Sequence, residues 1–142
     1  MSTNVVSAKD IQRDWVEFDA SGKVLGRLAV EISRKLMGKD RPNFVPYLDM
    51  GDFVVVTNAS QIKVTGNKKE QKEYARHSGY PGGFRSETLV RLLERRPEAV
   101  IEHAVKGMLP KTKLAHKMIK RLYVYSDNNH PYKKQFKKQG EQ

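Results

Sequence analysis

Lys113, Lys117, Lys120 and Arg121 recur at three- and four-residue intervals. At about 100° per residue, a helix over Thr112 to Arg121 carries them within one arc, with Leu114, Met118 and Leu122 in the neighbouring arc. That helix has a core side and a cationic side. A lone row of lysines is an ordinary solvated face, but this one adjoins a basic C-terminal stretch. From Lys106 to the end, ten lysines and arginines, including Lys111, Lys133, Lys134, Lys137 and Lys138, stand against only Asp127 and Glu141. The segment therefore carries +8 of a formal net charge of +11. Cations at that density, without acids between them, suit the neutralisation of phosphates on a polyanion.

A second basic cluster, Lys63, Lys68, Lys69, Lys72, Arg76 and His77, is diluted by Glu70 and Glu73. Tyr123, Tyr125, Tyr132 and Phe136 are interleaved with the C-terminal charges. Tyr123 and Tyr125 alternate at strand spacing and are expected to pack against the fold. Tyr132 and Phe136, set among lysines, are the candidates for stacking on unpaired RNA bases.

Enzymatic constellations fail residue by residue. Ser21-Gly22-Lys23 lacks the earlier glycine of a phosphate-binding loop, since Glu17 stands there, and Val24 occupies the position of the magnesium-binding hydroxyl. His77, His103, His116 and His130 are scattered without metal-ligand spacing. Asp19, Asp49 and Asp52 could hold magnesium in principle, but Asp49 and Asp52 read as ordinary turn formers ahead of a strand. No cofactor and no small-molecule substrate are expected.

The elements that must position the cations alternate between helical and strand patterns, which argues for an α/β fold with at least partly parallel strands. Trp15, Val16 and Phe18 predict a short strand, followed by a turn over Asp19 to Gly22. Leu25, Leu28, Ala29, Ile32 and Leu36 form the apolar stripe of a helix that Gly38 ends. Arg41 to Pro46 is a connecting loop because its two prolines exclude regular helix. The β-branched run Phe53 to Thr57 predicts a central strand covered on both faces. Thr65 to Lys69 reads as a turn and Gly79 to Gly83 as an exposed loop. Ser86 is expected to cap a helix containing Leu89 and Leu92, with Glu87 in its first turn. Pro97 opens the next helix, which Gly107, as a left-handed cap, and Pro110 end. Leu122 to Tyr125 predicts a last strand. Lys133 to Gln142 has the composition of a tail that stays disordered until it meets a partner.

At 142 residues the chain is expected to fold as a single domain over residues 1–132 followed by a basic tail over 133–142. It has no cysteine, hence no disulfide framework and no thiolate zinc site, which fits a reducing compartment. No apolar run approaches the ~18 residues of a membrane span, and the first ten residues lack the pattern of a leader. The expectation is an intracellular, soluble protein with no membrane partner.

Three segments in order, Asp19-Ala20-Ser21-Gly22-Lys23-Val24-Leu25-Gly26-Arg27-Leu28-Ala29, Gly51-Asp52-Phe53-Val54-Val55-Val56-Thr57-Asn58-Ala59 and Val64-Thr65-Gly66-Asn67-Lys68, resemble the bacterial ribosomal protein number thirteen of the large subunit. His77 to Gly83, Arg96-Pro97-Glu98, Ala104 to Lys111, Leu122 to Tyr125 and His130-Pro131 continue the resemblance in the same order, from about Trp15 to Pro131. It implies a three-layer α/β/α fold with a central, largely parallel four-stranded sheet and no enzymatic activity. It also implies a cytoplasmic place in the large ribosomal subunit, or in that of an organelle encoding its own copy. The partners implied are the large-subunit (23S) rRNA, bound early in assembly, and neighbouring ribosomal proteins. Arg27, the Thr65 to Lys69 loop, the Gly79 to Gly83 loop with Tyr80, and Lys106 to Lys111 are the family segments expected against RNA. The family follows its Gly-Met-Leu-Pro run with Leu-Gly-Arg, where this chain has Leu114-Ala115-His116. A free-standing RNA-binding regulator or chaperone and, from another class, an RNA-processing enzyme are the alternatives.

Overall fold

The β-branched run Phe53–Thr57 is β2, the middle of a parallel three-stranded sheet whose outer members are β1 (Trp15–Asp19) and β5 (Leu122–Val124). Val54, Val55 and Val56 are fully buried, as a strand covered on both faces requires. The computed structural model describes residues 5–140. Between β1 and β2 runs α1 (Leu25–Met37), and between β2 and β5 lie α2 (Lys68–Gln71), β3 (Glu73–His77), β4 (Phe84–Thr88), α3 (Leu89–Arg95), α4 (Pro97–Met108) and α5 (Lys113–Ile119). The last described element is α6 (Lys133–Gly140).

The fold is mixed α/β, but its main sheet has three described strands rather than the expected four. β3 and β4 form a separate antiparallel pair. A single parallel bridge joins Val24 to Lys63 beyond the named strands. The segment Ile62-Lys63-Val64 is too short to extend it before the Thr65-Gly66-Asn67 turn carries the chain away.

The α1 stripe packs as its periodicity demands, with Leu28, Ala29, Ile32 and Leu36 buried against Val100, Ile101 and Val105 of α4 and against Val54 and Val56 of the sheet. Gly38 ends α1 at φ 79°, in the left-handed region, and its N–H donates to the Arg34 carbonyl. Two helix-end expectations are corrected. Ser86 and Glu87 lie in β4, paired with Ala75 and Tyr74, so the hairpin claims them and α3 starts only at Leu89. Gly107 sits inside α4 without a left-handed angle, and the extended residue after the helix is Leu109. Pro110 accounts for this, since a proline pushes the residue before it out of helical geometry.

The opposite sheet face is aromatic. Trp15 stacks on its register partner Phe53 at 4.6 Å between centroids and on Tyr132 at 5.0 Å, while Tyr132 lies 4.5 Å from Tyr123. Phe136 of α6 meets Trp15 edge-on, and the Trp15 backbone N–H donates to Gln139 Oε1 at 3.2 Å. Tyr132 and Phe136 are thus engaged within the fold rather than held out for bases, and Lys133–Gly140 is a docked helix rather than a structureless tail. It does carry one apolar contact: Phe136 meets Trp15, the ring on which Tyr132, just ahead of the helix, also stacks. His130 locks this corner. Its Nδ1 accepts from the Tyr132 N–H, so its Nε2 carries the proton and donates to Glu17 at 3.3 Å. Deleting residues 133–142 is therefore expected to cost about 1–2 kcal/mol from the lost Phe136 contacts. A melting temperature lower by roughly 2–8 °C would register this, and unchanged melting would mean that α6 adds nothing to the domain.

Candidate nucleic-acid interface

Leu109 and Met118, each 4% exposed, anchor the corner between α4 and α5 in the core, and Leu114 is half-buried beside them. Anchoring that side turns Lys113, Lys117 and Lys120 outward, all exposed, so the amphipathic reading of this helix holds for its lysines. Lys106, Lys111 and Lys113 line one cleft of about 430 Å³, together with Leu109, Pro110, Ala115, His116 and Ile119. Ala115 and His116, where the chain departs from the family pattern, thus lie in the wall of the cleft itself.

Lys68 and Lys72 line a second cleft of about 300 Å³, where the Thr65 turn, the start of α1 at Gly26 and the end of α4 at Gly107 converge. Arg27 is exposed on the adjoining first turn of α1, and Lys69 is exposed on α2. The Lys72 ammonium lies 5.4 Å from the centre of the Tyr74 ring, which in turn packs against His103 at 5.3 Å. His103 lines this cleft and a neighbouring one shared by Lys106 and His116. The outer face of α4 therefore links segments some forty residues apart into one cationic belt, in which Glu102 is the acid between the two clefts. Arg76 and His77 stand on β3, with the His77 Nδ1 accepting from the Gly79 N–H at 2.9 Å. Tyr80, 75% exposed, caps the hairpin tip.

Arg76, His77 and Tyr80 thus belong to the hairpin rather than to the clefts of the belt, and three further expected residues lie elsewhere again. Lys133 and Lys134 ride on α6, which packs on β1. Arg121 is a correction: it is 7% exposed and points inward. Helical spacing no longer applies at this position because α5 ends at Ile119, and the Arg121 carbonyl already accepts from the Val54 N–H at the start of β5. Its guanidinium donates to the Asp52 and Leu36 carbonyls at 3.1 Å each and pairs with Asp49. Burial pushes the Arg121 guanidinium down from arginine's ordinary range, and the nearby carboxylate of Asp49 opposes that shift. Asp49 and Asp52 are likewise more than turn formers. Arg13 donates to the Gly51 and Asp49 carbonyls at 2.6 and 2.8 Å, and Arg41 pairs with Asp52. Among the described residues, no group of three or more histidines or acids could hold a metal ion.

Sequence reasoning missed Arg85, Arg91, Arg95 and Arg96, which with Arg76 line a concavity of about 760 Å³ between the hairpin and α3. The spacing Arg91, Arg95 is a helical i, i+4 signal, but Arg85 reaches the same wall only through the register of the hairpin. Interspersed Glu87, Glu94 and Glu98 also flattened the local charge.

The family model of ribosomal protein L13 matches residues 13–131. The chain is 53% identical over 132 residues to the large ribosomal subunit protein uL13 of Maridesulfovibrio salexigens, covering 93% of each. It is equally 53% identical to that of Nitrosococcus oceani, again over 93% of each, and 53% identical over 135 residues to that of Dehalococcoides mccartyi, covering 95% of this chain and 94% of the relative.

Proposed function

The chain belongs to the ribosomal protein L13 family, and from that premise we propose that it builds into the large ribosomal subunit by gripping large-subunit (23S) rRNA along the cationic belt of α4 and α5. It is a structural constituent of the large subunit and not an enzyme. The observation that carries the RNA reading is the belt itself: Lys68, Lys72, Lys106, Lys111 and Lys113, from distant parts of the chain, line clefts joined through His103 and Lys106. The lysines displace counterions from phosphates, and the clefts between them take up the relief of a folded RNA rather than a base sequence. Early engagement would let the domain fix RNA segments before neighbouring proteins join, and the cytoplasm is where that assembly takes place. Arg27, Lys69, His77 and Tyr80 extend the contact at its margins.

If the belt neutralises roughly five phosphates, log affinity for naked 23S rRNA should fall with log salt at a slope of about −3.5 to −4.5. Lys113→Ala with Lys117→Ala should make that slope shallower by about 1.4–1.8 while leaving thermal unfolding unchanged. The pair should also lower co-sedimentation with large subunits. A double variant that binds rRNA as tightly as the parent, with the same slope, would reduce the lysine face to a solvated surface.

A further inference from the structure

Arg76 and Arg85 stand directly opposite each other in the β3–β4 register, so the hairpin holds two guanidinium-bearing residues as cross-strand neighbours on one face. Like charges in that position are destabilising, and a fold with no use for them gains by replacing either. α3 and the start of α4 add Arg91, Arg95 and Arg96 to the same concavity. Glu87 answers only one of the five. Its carboxylate takes the Nε and a terminal nitrogen of Arg95 at 3.0 and 2.7 Å, and these hydrogen bonds hold its carboxyl below the usual range, with Arg91 and Arg76 adding to the effect. Among the described residues, Arg76, Arg85, Arg91 and Arg96 form no ion pair, and all four are exposed.

Building on the rRNA-binding role, we propose that the hairpin–α3 concavity is a second, separate seat for the rRNA backbone, in which arginine forks rather than lysine point charges clasp phosphates. The chemistry differs from that of the α5 lysines. A guanidinium presents a planar pair of donors that matches two phosphate oxygens at once, so it fixes orientation as well as charge. The Glu87–Arg95 pair stiffens the wall from which Arg91 and Arg96 project. The like-charge register at Arg76 and Arg85 becomes favourable once a phosphate lies between them.

Binding of the full chain to naked 23S rRNA at several salt concentrations, with thermal unfolding in parallel, tests this. Arg76→Ala with Arg85→Ala should weaken binding roughly 10- to 100-fold at physiological salt and make the slope shallower by about 1.4–1.8. Its melting temperature should stay level or rise, because a like-charge pair has been removed. Arg85→Lys should keep the slope yet lose affinity several-fold, since the charge stays and the fork goes. Parental affinity and slope in the double alanine variant would overturn the proposal. If the Lys113/Lys117 variant weakens binding in the same assay while the arginine variant does not, the belt reading survives and this seat alone fails. If neither pair matters, both fail. Unchanged rRNA binding with lost incorporation into large subunits would assign the concavity to an acidic protein neighbour instead, and a lowered melting temperature with full rRNA affinity would make the arginines structural.

Discussion

Gly51→Ala is expected to destabilise the domain by roughly 3–5 kcal/mol, near the upper end for a single substitution. A methyl group at this position would stand inside the van der Waals shells of the carbonyl oxygen and carbon of Leu36, and within 2.9 Å of the Arg121 guanidinium. Neither neighbour can yield. The Leu36 carbonyl belongs to the last turn of α1 and accepts from Arg121, and the adjoining Asp52 N–H donates to the Lys35 carbonyl at 2.9 Å. Gly38 makes the reciprocal approach, since a Cβ there would lie 2.7 Å from the Met50 carbonyl oxygen. The end of α1 and the entry to β2 thus touch backbone to backbone, which only glycines permit. Urea unfolding checks this directly: a midpoint within error of the parent would show that the 50–52 segment can move away at little cost.

Arg121→Met should be nearly as severe, at about 3 kcal/mol, the lower end of the cost of breaking a buried pair because Asp49 is not fully enclosed. The substitution keeps most of the packing volume but orphans the Asp49 carboxylate and the carbonyls of Leu36 and Asp52. Arg13 stays beside Asp49, at 3.7 Å, and moderates the loss. What separates this residue from the lysines before it is the rRNA assay. The folded fraction of Arg121→Met should bind with the parental salt slope, whereas Lys113→Ala with Lys117→Ala should bind with a shallower slope and the parental melting curve. A stable Arg121→Met protein with weakened, less salt-dependent binding would put this guanidinium on RNA after all.

Residues whose role depends on local pattern were legible in advance. The stripe of α1, its glycine end, the buried central strand, the proline-headed α4 and the outward lysines of α5 all follow from periodicity and turn chemistry over a few residues, which act before any tertiary contact forms. The errors have one origin in common. Ser86 has the type of a helix cap, but strand pairing with Ala75, eleven residues away, outweighs one capping hydrogen bond. Arg121 continues a helical arc only if the helix continues, and β5 begins instead. Phe136 reads as a solitary aromatic among lysines until Trp15, over a hundred residues earlier, gives it a surface.

The amino-acid sequence by itself therefore determined the cationic character of the protein, the succession of β1, α1, β2, α4, α5 and β5, and its family, because charge, periodicity and motif order are properties of the chain read along its length. Only the tertiary structure decided which cations are available. It turned Arg121 inward onto Asp49, gathered Arg76, Arg85, Arg91, Arg95 and Arg96 around one concavity, and joined the Lys68 turn to Lys106 across His103. The physical reason is that a side chain's destination depends on the desolvation cost and the partners it meets in three dimensions. Both are set by strand register and helix packing between residues that no local window contains.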